Sequence, residues 1–269
     1  CVLSAPDSIA WLLNIRGSDI RHTPVVLAFA IVHQDGNVEI IIDPSRYEAG
    51  LREHLGAGVT CRESEAFGAC LDSLRGRVQI DRTTAPVWVG DRLEGNDRVE
   101  IVWARDPCVL PKACKTDAEI AGSKAAHLRD GTAMVSLLCD IDTAIAEGKQ
   151  LTEIDVVRTL EAHRVDTGAL RDISFDTISG SGPNGAIVHY RVNETTNRTI
   201  MAGDLLLIDS GGQYLDGTTD ITRTIAIGAP PAEAIRAFTL VLKSLIAMSA
   251  LRWPPGLAGR IQVSWAARR

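Results

Sequence analysis

The stretch LLLIDSGGQYLDGTTDITRTIAIG, Leu205 to Gly228, decides how this chain folds. Leu205 to Ser210 is an apolar run entered from Gly203, the pattern of a buried strand. Asp216-Gly217 is a hairpin turn signal. Thr218 to Ile227 is β-branched and alternating, so it reads as the returning strand. Folding back near Asp216 brings Asp209 and Asp220 close across the ladder, while Gly211-Gly212 leaves room for a bulge and the register open. Each aspartate ends or interrupts an apolar run, where an ionised carboxylate is costly unless paired or metal-bound. Two such groups on neighbouring strands repel each other, and a divalent cation removes that repulsion. Hard oxygen donors suit manganese, magnesium or zinc. The alternative is a surface hairpin bearing two solvated acids.

Working outward, the 269 residues are 45% hydrophobic and 23% charged, as in a soluble globular chain of one or two domains. The net charge of −6 and the lack of a basic block argue against nucleic acid as a partner. Cys1, Cys61, Cys70, Cys108, Cys114 and Cys139 form no Cys-x-x-Cys pair and read as buried free thiols in a reducing compartment. The longest apolar run, Phe238 to Leu251, is short and carries Lys243, so no membrane partner and a cytoplasmic location are expected.

The chain divides near Pro107 to Pro111, into 1–110 and 111–269. The first part alternates helix and strand patterns, which predicts a mixed sheet with helices on its faces. Its predicted helices are Ser4–Leu13, Arg46–Leu55 and Glu63–Leu74. Its predicted strands are Val25–Val32, Val38–Ile42, Arg77–Ile80, Val87–Val89 and Val99–Trp103. No nucleotide fingerprint occurs in it. The second part predicts a long helix over Thr116–Glu147 and another opened by a capping box at Thr152-Glu153-Ile154-Asp155 and ending near Asp166. A strand follows at Ile173–Ile178, and Pro230-Pro231 starts a last helix, Ala232–Leu251. Gly180, Gly182 and Gly185 favour close backbone approach to an active site over phosphate binding.

Three segments carry a family resemblance: SFDTISGSGPNGAIVHY (Ser174–Tyr190), ETTNRTI (Glu194–Ile200) and LLLIDSGGQYLDGTTDITRT. They resemble the metallopeptidases of the pita-bread fold, and most of all cytosolic aminopeptidase P, the Xaa-Pro aminopeptidases. RGSDIRHTP (Arg16–Pro24) is similar to the middle domain of the three-domain form, so the likeness runs to about Arg260. It implies an α/β (α+β) chain: a mixed-sheet creatinase/prolidase-type N-terminal domain, 1–110, then a truncated pita-bread catalytic domain, 111–269. It implies that Asp209 serves one metal ion of a pair, that Asp220 bridges both, and that His189 lies beside the substrate near the scissile peptide. In this family two manganese ions, with zinc the alternative, activate a bridging water that attacks the carbonyl before proline; metals lower the pKa of bound water and polarise carbonyls. A proline-containing peptide is the implied substrate, and a homodimer is compatible with the resemblance. Thr222 and Arg223, beside Asp220, either orient the carboxylates or are outward strand positions.

The family also supplies a histidine and two glutamates downstream, and this chain has neither after its family-like RWPPGLAGR; it ends in IQVSWAARR. With Cys1 at its start, the sequence reads as an internal piece of a larger enzyme, inactive by itself. Truncation also predicts uncovered apolar faces on the hairpin and on Ala232–Leu251. The competing functions are a prolidase-like dipeptidase and a non-catalytic fragment or pseudo-enzyme that binds or dimerises.

Overall fold

The computed structural model describes residues 1–252. The tail Ile261–Arg269 and most of the family-like RWPPGLAGR segment lie outside the described residues. The chain splits into two compact units, Cys1–Ala125 and Ala126–Arg269.

The first unit runs β1 (Val2–Leu3), α1 (Pro6–Leu12), β2 (Phe29–Val32), β3 (Val38–Ile41), α2 (Ala49–Leu55), β4 (Val59–Arg62), α3 (Phe67–Ser73), β5 (Gly76–Ile80), α4 (Val87–Glu94), β6 (Val99–Trp103) and α5 (Val109–Ala113). One sheet has the order β1-β2-β3-β4, and β5 pairs with β6 in parallel. Alternate residues of one strand point to opposite faces, and here both faces are buried. Leu3, Ala30 and Ile40 join Ile9 and Ile15 in one core. Val2, Ile31 and Ile41 join Phe67, Leu71, Val89 and Leu93 in the other. The predicted strand Val87–Val89 is instead the start of helix α4. A short apolar run cannot be told from a helical turn by periodicity. The helix buries Val89, Gly90 and Leu93, a spacing a strand would split between two faces.

The cysteines correct another expectation. All six are free, but Cys108 alone of them is fully buried, while Cys114 and Cys139 are exposed. Burial, chiefly, pushes the Cys108 thiol up to about 11, which keeps it protonated and unreactive.

The second unit begins within α6 (Asp117–Ala146) and continues with α7 (Glu153–Asp166), β7 (Asp172–Ile173), β8 (Ile178–Ser181), β9 (Leu205–Ser210), β10 (Gly212–Tyr214), β11 (Gly217–Thr218), β12 (Ile221–Ala226) and α8 (Ala232–Ser249). The capping box is formed as read: Thr152 Oγ1 accepts from Asp155 N–H, and Asp155 Oδ2 accepts from Thr152 N–H. Antiparallel order is β12-β9-β8 in one sheet and β11-β10-β7 in another. Leu206 and Ile208 face the helices, packing with Ala133, Met134, Leu137, Ile141, Val156 and Leu160. Leu205, Leu207 and Asp209 therefore occupy the opposite face.

The hairpin keeps one register from end to end. Leu205 pairs with Ala226, Ser210 with Ile221, Gln213 with Thr218 and Tyr214 with Gly217. Two residues on each arm, Gly211-Gly212 and Thr219-Asp220, separate the ladders, so no residue is inserted and no bulge forms. The backbone ladder is instead interrupted there by side-chain hydrogen bonds. Thr219 N–H donates to Gly212 O, but Gly212 N–H donates to Thr219 Oγ1, and Thr219 O accepts from Ser174 Oγ. Ser174 N–H also donates to Gly211 O. Ile173 pairs with Gly212 but Ile178 pairs with Asp209, so two extra residues lie on this side and the predicted strand Ile173–Ile178 is split into β7 and β8. Gly211 sits in the crush: a Cβ there would lie 1.9 Å from Thr219 O and 2.3 Å from Ser174 Oγ. The turn falls at Leu215-Asp216, one residue earlier than read, and neither residue has positive φ.

A buried ion pair ties this hairpin to both helices. Arg164 of α7, fully buried, donates from Nε and Nη2 to Asp130 of α6 at 2.7 and 3.0 Å. Arg164 Nη2 also donates to Ser210 Oγ, and Tyr214 Oη donates to Asp130 Oδ1 at 2.7 Å. Arg129 grips Asp216 in the turn through two hydrogen bonds and lies over the Tyr214 ring. Burial raises Asp130, but the hydrogen bonds of Arg164 and Tyr214 and the charge of Arg164 outweigh it, leaving its pKa below the usual carboxylate range.

Helix α8 buries none of its residues. Ile235, Phe238, Val241, Leu245 and Ile246 are each more than half exposed. That is the uncovered apolar surface expected on Ala232–Leu251.

Two outcomes follow. Arg164→Met leaves Asp130 as an uncompensated buried charge and should cost about 3–5 kcal/mol at neutral pH, whereas Arg164→Met with Asp130→Leu should cost less. Asp130 is depressed in the fold, so its contribution is complete above the unfolded value of ~3.9 and is lost as pH falls through the folded value. Urea unfolding across pH should therefore show wild type and Arg164→Met converging in acid. Gly211→Ala should destabilise by ~3 kcal/mol, the upper end for overpacking, because its neighbours are a carbonyl and a tethered serine.

Candidate functional site

The register places the two aspartates. Asp209 pairs directly with Thr222, so continuing the same register sets Asp220 opposite Gly211. Asp209 and Thr222 share the face turned away from the helices, and Asp220 lies two residues before Thr222, in the break between the two ladders. Asp209 is half-buried and Asp220 exposed. Thr222 Oγ1 donates to Asp209 Oδ1 at 2.7 Å, fixing that carboxylate as the sequence reading allowed. Arg223 belongs to the opposite face; its Nη1 donates to Thr222 O and reaches neither aspartate.

The pair fits a divalent cation in kind, since it presents hard oxygens. It does not fit in number. Among the described residues no group of three or more His, Cys, Asp or Glu side chains could hold a metal. Ions of this class take about six oxygen ligands. Around Asp209 and Asp220 the described residues therefore do not complete a metal centre.

His189 lies in the loop that follows β8. Gly180 of β8 pairs with Leu207, and a Cβ on Gly185 would lie 3.6 Å from Leu207 Cβ. A Cβ on Gly180 would lie 2.9 Å from Gly185 N, so these glycines let the loop close onto its own strand. The close approach expected of them is thus made to protein backbone. His189 is exposed, and no hydrogen bond among the described residues joins it to Asp209 or Asp220. It is the third residue of the turn Ile187–Tyr190, closed by Tyr190 N–H to Ile187 O, and has φ of 55°. Glycine or asparagine is usual at such a position. A residue held in this region costs about 1–3 kcal/mol and persists where its surroundings over-determine it.

Those surroundings centre on Glu153, which has 0% exposure at the first turn of α7. Its carboxylate accepts from Ser181 N–H at 2.7 Å, Asn184 Nδ2 at 3.0 and 3.1 Å, Tyr190 Oη at 3.0 Å and Arg198 N–H at 3.1 Å. Burial foremost, then the Glu153 carboxylate, push the Tyr190 phenol up, so it stays a protonated donor. Glu153 N–H donates to Arg198 O, and Ile154 N–H to Asn197 Oδ1, binding the far end of the loop to the same helix. In the sequence Glu153 is an ordinary member of a capping box, and nothing there marks it as a hub.

Comparison with known proteins gives the family and the fold. Residues 1–119 match the creatinase/prolidase N-terminal domain, and residues 121–268 match metallopeptidase family M24. The probable Xaa-Pro aminopeptidase P of Laccaria bicolor is 39% identical over 99% of this chain and 42% of its own length. Xaa-Pro aminopeptidase 1 of Dictyostelium discoideum is 36% identical over 96% of this chain and 41% of its own. The crystal structure of X-prolyl aminopeptidase from Caenorhabditis elegans, described as a cytosolic enzyme with a di-nuclear active site, superposes with a TM-score of 0.86 at 30% identity, covering 97% of this chain and 43% of that one. The chain thus spans about two fifths of the length of the curated relatives it matches. The α/β architecture expected from the resemblance, a creatinase/prolidase-type domain followed by a pita-bread domain, is the one these matches show. With more than half of its residues in the second match, the chain belongs to metallopeptidase family M24.

Proposed function

We propose that this chain carries part of a metal-dependent aminopeptidase that releases an N-terminal residue preceding proline. The observation that supports the reading is the pair Asp209 and Asp220, carried on the two arms of one hairpin within the family-matching region. In this reading they contribute two donors to a centre of two divalent ions, manganese or zinc, and His189 lies beside the bound peptide. The domain at residues 1–110 is non-catalytic, and the catalytic domain starts at 111. The names of the relatives support the substrate class, and the di-nuclear site of the nematode enzyme supports the ion count. Its cytosolic description supports a cytoplasmic location, compatible with the finding that no helix among the described residues is long and apolar enough to cross a membrane. A homodimer belongs to the same proposal. No catalytic step is assigned to the ions, because the described donors are too few to hold them.

Two measurements test the reading. A 269-residue chain given manganese and a proline-containing tripeptide should release no N-terminal residue, and release would show that two carboxylates suffice. In a longer form of the protein that does cleave, Asp209→Asn or Asp220→Asn should lower the rate by more than the ~10–100-fold typical of groups outside the metal's ligand set. Undiminished cleavage would remove the aspartates from the centre. Comparing dipeptide and tripeptide substrates in that form separates the aminopeptidase from a prolidase-like dipeptidase.

A further inference from the structure

We propose that Glu153 is the positioning residue for His189: a buried carboxylate that fixes the turn carrying the histidine without itself reaching the substrate face. The proposal rests on reading His189 as a group that acts beside the peptide.

The geometry leaves few other restraints on that turn. Ile187, Val188 and His189 are all exposed, so no apolar packing holds them from outside. The turn is anchored at its two ends. On one side Ile187 N–H donates to Asn184 O, and the Asn184 side chain donates to both Glu153 oxygens. On the other side Tyr190, adjacent to His189, is buried, and its one O–H is shared between Glu153 Oε2 at 3.0 Å and Thr196 O at 3.1 Å. Asn184 Nδ2 also donates to Tyr190 Oη at 2.9 Å, which joins the two anchors directly. Both ends of the strained turn thus converge on one side chain.

The chemistry requires a carboxylate there. Every group facing Glu153 is a donor, and an ionised carboxylate can accept from all of them. A glutamine would turn an NH2 towards N–H and O–H groups and leave buried donors unpaired. Among the described residues no arginine or lysine side chain hydrogen-bonds this carboxylate; its charge is met by backbone and side-chain donors and by the positive end of α7. Glu153 therefore acts through Asn184 and Tyr190, and the left-handed backbone of His189 is the strain they retain.

The test compares wild type with Glu153→Gln and Tyr190→Phe in the 269-residue chain. Hydrogen exchange at residues 186–190 should quicken by about tenfold in each variant, the effect of one lost charge-assisted hydrogen bond. The NMR signal of the His189 ring should move, while that of His163, which pairs with Asp140 in the same unit, should stay. That contrast separates positioning from general loosening, which would shift both. If Glu153→Gln does not fold, Tyr190→Phe decides the matter. An unchanged His189 signal and unchanged exchange in a folded variant would overturn the proposal. His189→Ala, assayed for cleavage in a longer active form, tests the underlying reading separately. An unaltered rate there, beside a loosened turn in Glu153→Gln, would keep Glu153 as the anchor of the turn and remove His189 from the reaction.

Discussion

A guanidinium and a carboxylate, both out of reach of water, hold the second unit in shape. Arg164 and Asp130 join two helices, and each extends to the hairpin, Arg164 to Ser210 and Asp130 to Tyr214. Such a pair is costly to desolvate, and its contribution to stability is small once that cost is met. What it adds is geometric. Ser210 follows Asp209 directly, and Tyr214 precedes the turn, so the pair pins one arm of the hairpin at two points. Hydrophobic packing of Leu206 and Ile208 is non-directional and sets the face; the polar contacts set the position along it.

Helix α7 braces both components of the candidate site. Glu153 at its start gathers the loop that bears His189, and Arg164 near its end holds the strand that bears Asp209. Between them Val156 and Leu160 are buried against α6 and the sheet. One rigid rod of 14 residues thus relates a histidine and a carboxylate that share no direct bond. Preorganisation of this kind places the demanding geometry on regular structure and leaves the loop to present a side chain.

Much of this was legible in the amino-acid order. The bounds of α6 and α7 follow from periodicity and capping, and the alternation Leu206, Ile208 against Leu207, Asp209 follows from the period of a strand. Val87–Val89 misled because three β-branched and aromatic residues resemble a strand until Leu93 completes the helical spacing. The buried pair had left a trace: Asp130 lies on the stripe of Ala126, Ala133 and Leu137, and Arg164 on that of Val156 and Leu160. A charge on the buried side of each of two successive helices is a signal that they meet. Glu153 left no such trace, because its donors come from residues 28 to 45 positions away and three of the four partner residues act through backbone or amide groups common to many loops. The break in the ladder at Gly211 was equally hidden, since it involves Ser174, which local reading assigns to an unbroken strand.

The constant register has a consequence for how this segment tolerates changes in length. Each residue added to or removed from one arm between Asp209 and Asp220 would reverse the sidedness of everything beyond it. Thr222 would turn towards the layer of Leu206 and Ile208, and Ile221 would take its place on the open side. Insertions and deletions that preserve the chemistry must therefore come in matched pairs, one residue per arm, so an indel of a single codon here inverts the hairpin's polarity even where every remaining side chain is unaltered.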